Sequence, residues 1–483
     1  LPFYLNMISR KPIDIPCTLQ ERKVLEQIAL AAHELGVPCY LIGGFVRDKL
    51  LNRRTKDMDV VCVGDGITLA HKVATYFENS KVSFFKTYGT AQVKWNEFEI
   101  EFVGARKESY RHESRNPDVE PGTLQDDQLR RDFTINALAI SLNEEDYGSL
   151  VDPFNGLADM DAKIIRTPLA PAQTFSDDPL RMMRAIRFAS QLQFTIADDT
   201  FQAINEQAER IKIISQERIT DELNKIMLST VPSVGLNLLY KSGILKIIFP
   251  QLVDLAGVQT VDGKRHKENF SHTLQVVDNI SRNTKDLWLR WAALLHDIGK
   301  PATKRYEQGH GWTFHGHEMV GAKMVPRIFS RLKLPTHEPL RFVKKLVELH
   351  QRPISLTKEN ITDSAIRRLL FEAGEDVEAL MMLCEADITS KNQSKVRRYL
   401  DDYEMVRQRM KEIEENDRLR NWQPPVTGEM IMETFNLTPC KTVGDLKSAI
   451  REAILDGVIP NTFDAAYAFL LEKAKEMDLT PVK

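Results

Sequence analysis

Only five cysteines occur among the 483 residues (Cys17, Cys39, Cys62, Cys384 and Cys440), and no two form a CxxC pair. A disulfide framework and a cysteine-held zinc site are thereby excluded, and a reduced, buried set in an intracellular protein is expected. No apolar run is long enough to cross a bilayer, and the N-terminus lacks a signal-peptide pattern. The expected location is the cytoplasm, with no membrane partner. A net basic balance is missing as well, since 65 Lys+Arg face 68 Asp+Glu. Any surface for nucleic acid must then be a local patch on an otherwise acidic chain. Repeats, low-complexity tracts and coiled-coil heptads are also absent. The chain does have an ordinary globular composition, 42% hydrophobic and 28% charged. Its length exceeds what one core supports, so roughly three or four domains are expected.

Periodicity divides the chain. Thr18–Leu35 reads as an amphipathic helix, Tyr40–Ile42 as a short strand, Val46–Leu51 as a helix start, Met58–Val63 as a strand and Ile67–Glu78 as a helix. Lys81–Lys86, Thr90–Trp95 and Phe98–Val103 alternate like consecutive strands, with turn signals at Gly89 and Asn96. The polar stretch Arg106–Arg131 reads as a long, mobile loop. Beyond about Asp177 strand signals nearly vanish and helical periodicities continue to the C-terminus. A small α/β head over residues 1–165 carrying an all-helical body is the expected architecture. Arg420–Val426, with Pro424 and Pro425, is the clearest linker-like break.

The most telling stretch is Gly43-Gly44-Phe45-Val46-Arg47-Asp48, followed closely by Asp57-Met58-Asp59. Side chains at i and i+2 of a strand share a face, so Asp57 and Asp59 project together. Two hard oxygen ligands beside a glycine turn open to phosphate suit Mg²⁺-dependent phosphoryl or nucleotidyl transfer. Either half alone is commonplace; the pair together favours a nucleotide-handling site. Glu99, on the strand Phe98–Val103, is the candidate third carboxylate, with an exposed strand residue as its ordinary alternative. Gly43 and Gly44 would let backbone N–H groups reach a triphosphate, and Arg47 would add a cationic clamp, unless Asp48 is simply its ion-pair partner.

Further on, Asp178-Pro179 marks a helix start with Asp178 as N-cap, because proline restricts the residue before it and suits a first turn. At about 100° per residue, Met182, Met183, Ile186 and Ala189 share one side while Arg181, Arg184 and Arg187 sweep the other. An arginine face is usually solvated. Three arginines with almost no interleaved acids favour a nucleotide-binding face instead.

The order of the Gly43-Gly44-x-x-Arg47-Asp48 turn, the Asp57-x-Asp59 pair, the block Arg130-Arg131-Asp132-Phe133-Thr134-Ile135-Asn136-Ala137 and the block Asp177–Phe188 closely resembles the class II tRNA nucleotidyltransferase and bacterial poly(A) polymerase family, the CCA-adding enzymes. The resemblance covers about the first half of the chain. It implies a nucleotidyltransferase-type mixed or antiparallel sheet with helices (1–165), a helical neck that recognises the base (166–235), an HD-type helical domain (236–400) and C-terminal helices (401–483). It further implies that Asp57 and Asp59 hold Mg²⁺, that Asp132 accepts the ribose 2′-hydroxyl, and that Arg131 and Asn136 contact the nucleotide. Arg130 reads better as part of a buried ion pair. Asp178 and Arg181 would read the incoming base, with Arg184 and Arg187 steadying it. Chemistry explains such a pair. C and A each present an amino donor beside a ring-nitrogen acceptor, matching a carboxylate and a guanidinium. G and U would leave buried groups unpaired at about 1–3 kcal/mol each. Many relatives have Glu where this chain has Asp177. Arg106–Tyr110 resembles the stretch linked to switching from C to A addition.

In the second half, His272, His296-Asp297 and Asp387 resemble an HD-type phosphohydrolase, with imidazoles and carboxylates converging from three helices on a possible second divalent ion. His315, His317 and His350 are candidates for a further metal position or ordinary histidines. Lys391, Lys395, Arg397, Arg398, Arg407 and Arg409 could meet tRNA phosphates, but interleaved acids favour a solvated helix. The implied activity is template-independent addition or repair of the 3′-terminal CCA of tRNA from CTP and ATP, releasing pyrophosphate. A poly(A) or A-adding polymerase shares every head motif. An HD phosphohydrolase acting on RNA ends or nucleotides, with a merely RNA-binding head, is the rival from another class.

Overall fold

The computed structural model describes residues 2–85, 89–111, 116–261, 263–266, 268–357, 362–417 and 422–482. Lys86 of an expected strand and Arg420 of the expected linker lie outside them. The chain forms two compact units, Leu1–Phe249 and Pro250–Lys483.

The first unit is built on a seven-stranded sheet: β1 (Cys39–Ile42), β2 (Asp57–Cys62), β3 (Lys81–Phe85), β4 (Thr90–Trp95), β5 (Phe98–Gly104), β8 (Ala139–Ser141) and β9 (Leu150–Val151), in the order β3-β4-β5-β2-β1-β8-β9. Only the β2–β5 pairing is parallel; every other pairing in this sheet is antiparallel. Alternation decides which face is which. Met58 and Val60 of β2 and Ile100 and Phe102 of β5 are buried, so Asp57, Asp59, Glu99 and Glu101 must lie on the opposite face. The helix Leu19–Leu35 buries Val24, Leu25 and Ile28. A full capping box at Thr18 and Glu21 starts it, and Gly36, at φ 65°, ends it.

The expectation of a long loop after Arg106 changes. Among the described residues of the expected loop, β6 (Arg106–Ser109) and β7 (Asp118–Pro121) pair antiparallel, and Thr123 caps a helix over Leu124–Leu129. The ribbon escapes sequence detection because its charges of both signs give no apolar alternation. The strands β8 and β9 escape it for another reason, their shortness.

Helices Pro171–Asp177, Leu180–Leu192, Asp198–Gln207 and Gln216–Met227 complete most of this unit. A two-residue parallel bridge, β10 (Ile164–Ile165) with β11 (Thr195–Ile196), ties the end of the head to the segment after Leu192. In the second unit, helices Asn269–Ser281, Leu287–Leu295, His317–Arg331, Glu338–Leu349 and Val377–Ala386 dominate. Two short antiparallel strand pairs, Thr260–Val261 with Lys264–Arg265 and Arg305–Glu307 with Gly311–Thr313, interrupt the expected all-helical pattern.

Candidate active site and metal centre

In the head, β1 ends at Ile42 and the chain turns through Gly43, whose φ of 82° is open to glycine at little cost. A Cβ there would stand 2.9 Å from Arg131 Nη1 and 3.4 Å from Asp59 Oδ2. The turn, the acid and the guanidinium therefore meet at one point. Burial first, and then the nearby Glu101 and Asp57 carboxylates, push Asp59 up to about 6 despite the opposing Arg131 charge. Acids crowded on one face beside a glycine turn suit a divalent cation with hard oxygen ligands.

Two carboxylates of β5, Glu99 and Glu101, share this face with the pair. Glu99 stands in register with Asp57, but its Oε1 accepts from Lys94 Nζ at 2.7 Å and its Oε2 from Gln92 Nε2 at 3.3 Å. Glu101 stands in register with Asp59 and adds to its electrostatic load. Arg47 pairs with Asp48, the alternative the sequence offered for it. It is only 8% exposed, donates to Asn136 Oδ1 at 2.6 Å and Asp48 Oδ1 at 2.9 Å, and lies over the Phe188 ring. Two cations stand at the glycine turn: Arg131 beside Gly43, and Arg47, whose Nη2 lies 3.6 Å from where a Cβ on Gly44 would stand.

From Arg47 a polar chain runs into the neck. Asn136 Nδ2 donates to Asp132 Oδ1 at 2.9 Å, and Arg184 Nε donates to Asp132 Oδ2 at 2.6 Å. Against the desolvation of its burial, the Arg184 charge and the Asn136 amide hold Asp132 down to about 2. Arg181 Nη2 donates to the Arg130 carbonyl at 2.8 Å and reaches the Tyr110 hydroxyl at 3.4 Å, while Tyr110 donates to Glu108 at 2.5 Å. Asp127, fully buried, joins Arg130 through one oxygen and Arg131 through the other. Arg130 is thus the buried ion-pair residue it was expected to be. Asp178 caps its helix, its carboxylate accepting from the Leu180 amide at 3.1 Å, although regular helix begins one residue later than Pro179.

The arginine stripe is largely withdrawn from water, with the Arg184 side chain 34% exposed. Arg181 and Arg187 are 8% and 9% exposed, yet only two of the three face the head. Arg187 is committed to Glu222 at 2.8 Å, within the neck. Glu108 and Tyr110 fall in the Arg106–Tyr110 stretch that the resemblance singled out, whereas Glu101, Asp127 and Glu222 were not legible as site residues. The only sequence signal of those three is charge in a segment read as strand, loop or ordinary helix.

In the second unit, four imidazoles converge. Each fixes its Nδ1 on an oxygen: His272 on Thr389 Oγ1 at 2.9 Å, His296 on Ala293 O at 2.7 Å, His317 on Phe314 O at 2.9 Å and His350 on Val347 O at 2.6 Å. All four then aim Nε2 inward, as metal-binding histidines do. Asp297 Oδ2 lies 3.3 Å from His296 and 3.6 Å from His272, and Oδ1 lies 3.3 Å from His317 and 3.9 Å from His350. Asp387 Oδ1 closes the first group at 2.8 Å from His272 and 3.5 Å from His296. His296 Nε2 is fully buried without a hydrogen-bond partner, an orphan that fits a divalent ion. His315 is a correction: its side chain is 83% exposed, outside the centre and near Glu307. Its neighbour at the start of the next helix, His317, is inside.

The descriptions of known proteins agree with this geometry. Residues 39–166 match the model of the poly A polymerase head domain, 193–255 that of the probable RNA- and SrmB-binding site of polymerase A, and 269–391 that of the HD domain. An A-adding tRNA nucleotidyltransferase of Deinococcus radiodurans is 31% identical over 90% of this chain and 95% of its own. A multifunctional CCA protein of Shewanella frigidimarina is 30% identical over 73% and 84%. The fold is that of a Bacillus stearothermophilus CCA-adding enzyme solved with CTP, at TM-score 0.69 and 23% identity over 96% of this chain and 99% of that one. A tRNA nucleotidyltransferase solved with a primer tRNA and an incoming ATP analogue gives TM-score 0.56 at 25% identity over 79% and 99%.

Proposed function

We propose, from the premise that this chain belongs to the tRNA nucleotidyltransferase and poly(A) polymerase family, that it adds or repairs the 3′-terminal CCA of tRNA from CTP and ATP without a nucleic-acid template. The observation that carries this reading is the meeting of Asp59, Gly43 and Arg131 at one point, with a buried chain of polar side chains leading from there to the neck arginines. Asp57, Asp59 and Glu101 would hold a divalent ion, which we take to be Mg²⁺; it would stabilise the charge developing on the α-phosphate. Arg131 faces the triphosphate. Asp132, held ionised, keeps acceptor capacity for a ribose hydroxyl. Asp178 and Arg181 supply the acceptor and donor that C and A require. The primer 3′-oxygen bonds to the α-phosphorus, its proton passes to a carboxylate of the acidic face, and pyrophosphate leaves.

The test is to supply tRNA lacking all three terminal nucleotides, or only the last, with CTP and ATP separately. A CCA-adding protein extends the first with C and the second with A. Extension only with A, and only of tRNA ending in CC, supports an A-adding enzyme instead, a reading favoured by the name of the Deinococcus relative. Failure to extend either tRNA refutes both.

The four-imidazole centre favours a second activity, phosphoester hydrolysis in the HD unit. His272, His296, Asp297 and Asp387 would hold one divalent ion, with His317 and His350 sharing Asp297 for another.

A further inference from the structure

In a sheet, residues paired across neighbouring strands point to the same face. The catalytic face can therefore be followed from β2 to its edge. One row runs Asp59, Glu101, Gln92, Ser83; the next runs Asp57, Glu99, Lys94, Lys81; a third ends at Thr90 and Phe85. The inner part of this face is acidic, whereas its outer part carries Lys94, Lys81 and Phe85. Phe85 is 59% exposed, on the outermost strand of the sheet. Its neighbour Phe84 points to the other face, where it meets His71 at 5.9 Å. A large exposed aromatic on an edge strand is a liability unless something uses it.

The sheet order says what could. Gly43, Asn136 and the Asp132–Arg184 link all lie on the β1–β8 side of the two aspartates, so that side takes the triphosphate and base. In-line displacement places the attacking hydroxyl opposite the departing pyrophosphate. The RNA strand must then approach from the other side, over β5, β4 and β3.

We infer that the outer half of the catalytic face is the track of the RNA 3′ end, with Phe85 stacking on one of its bases and Lys81 facing its phosphates. This rests on the nucleotidyl-transfer reading. Three strand spacings of about 4.8 Å separate β2 from β3, about 14 Å in all. At about 3.4 Å per stacked nucleotide, Phe85 meets the strand about four nucleotides behind the attacking hydroxyl. Aromatic stacking with phosphate-facing lysines is how unpaired strands are held without reading their sequence.

The test uses the full chain and fluorescence anisotropy of a labelled tRNA lacking its terminal A, alongside steady-state incorporation. Phe85→Ala weakens RNA binding at least fivefold and raises KM for RNA but not for the nucleotide, and Phe85→Trp restores both. Phe84→Ala, on the opposite face, stays within twofold of the parent. Lys81→Ala lowers the slope of log affinity against log salt by about one. RNA affinity unchanged in Phe85→Ala, or lost equally in Phe84→Ala, overturns the inference while leaving nucleotidyl transfer intact. A parent protein that extends no RNA overturns the functional reading, and the binding comparison still decides the role of Phe85.

Discussion

Replacing Asp132 with Asn removes a charge that links the head to the neck helix. Asp132 is buried and accepts from Arg184, Asn136 and its neighbour's amide. Its fall from the ordinary 3.8 to about 2 corresponds, at about 1.4 kcal/mol per pH unit, to about 2 kcal/mol of native-state stabilisation. Arg184 is one-third exposed, so the pair lies below the roughly 3–5 kcal/mol expected on breaking a fully buried one. Because the folded value is depressed, the stabilisation is complete above the unfolded value near 4. It is lost as pH falls through 2, about half of it remaining at pH 3. Hydrogen exchange of the whole protein, followed in peptides spanning 130–137 and 180–190, should show local opening easier by about 2 kcal/mol in Asp132→Asn. Arg184→Met should do the same, and the double variant should lose far less than the sum. A coupling below about 0.5 kcal/mol, or one equal at pH 3 and pH 6, would refute an ion pair at this position as the tie.

Gly43→Ala forces a side chain to positive φ and into Arg131 Nη1; backbone strain of about 1–3 kcal/mol and a displaced guanidinium should reduce nucleotide incorporation at least tenfold, measured as kcat/KM. Glu101→Gln should depress incorporation by more than a hundredfold and Glu99→Gln by less than fivefold; the reverse order would restore Glu99 as the third ligand. His296→Ala should abolish metal-dependent phosphoester hydrolysis by the second unit and lower its bound metal, measured by elemental analysis, with CTP and ATP incorporation unaffected. His315→Ala should change neither.

Much of the head could be read from local pattern. The positions of β1 to β5 and of the helix that begins at Thr18 follow from local periodicity. What escaped depended on distant partners. Glu99 and Glu101 are two apart on one strand and identical in every local respect; only the parallel register with β2 sets Glu101 beside Asp59. His315 and His317 are separated in fate by the left-handed turn at Gly316 that begins the helix. The arginine stripe was legible as a face, but periodicity cannot say that Arg184 faces Asp132 while Arg187 turns to Glu222. The β6–β7 ribbon was illegible because neither of its faces is apolar.

The unbroken rows across the sheet impose a rule of parity. Inserting residues into the turns between strands leaves each row intact, whereas a single extra residue within β2 or β5, unless looped out as a bulge, would move every side chain beyond it from one surface to the other. Phe102 would then arrive where Glu101 belongs, and a charged carboxylate would enter the core. Length can therefore drift in the connections of this protein, but within those two strands only changes by even numbers keep the same side chains outward.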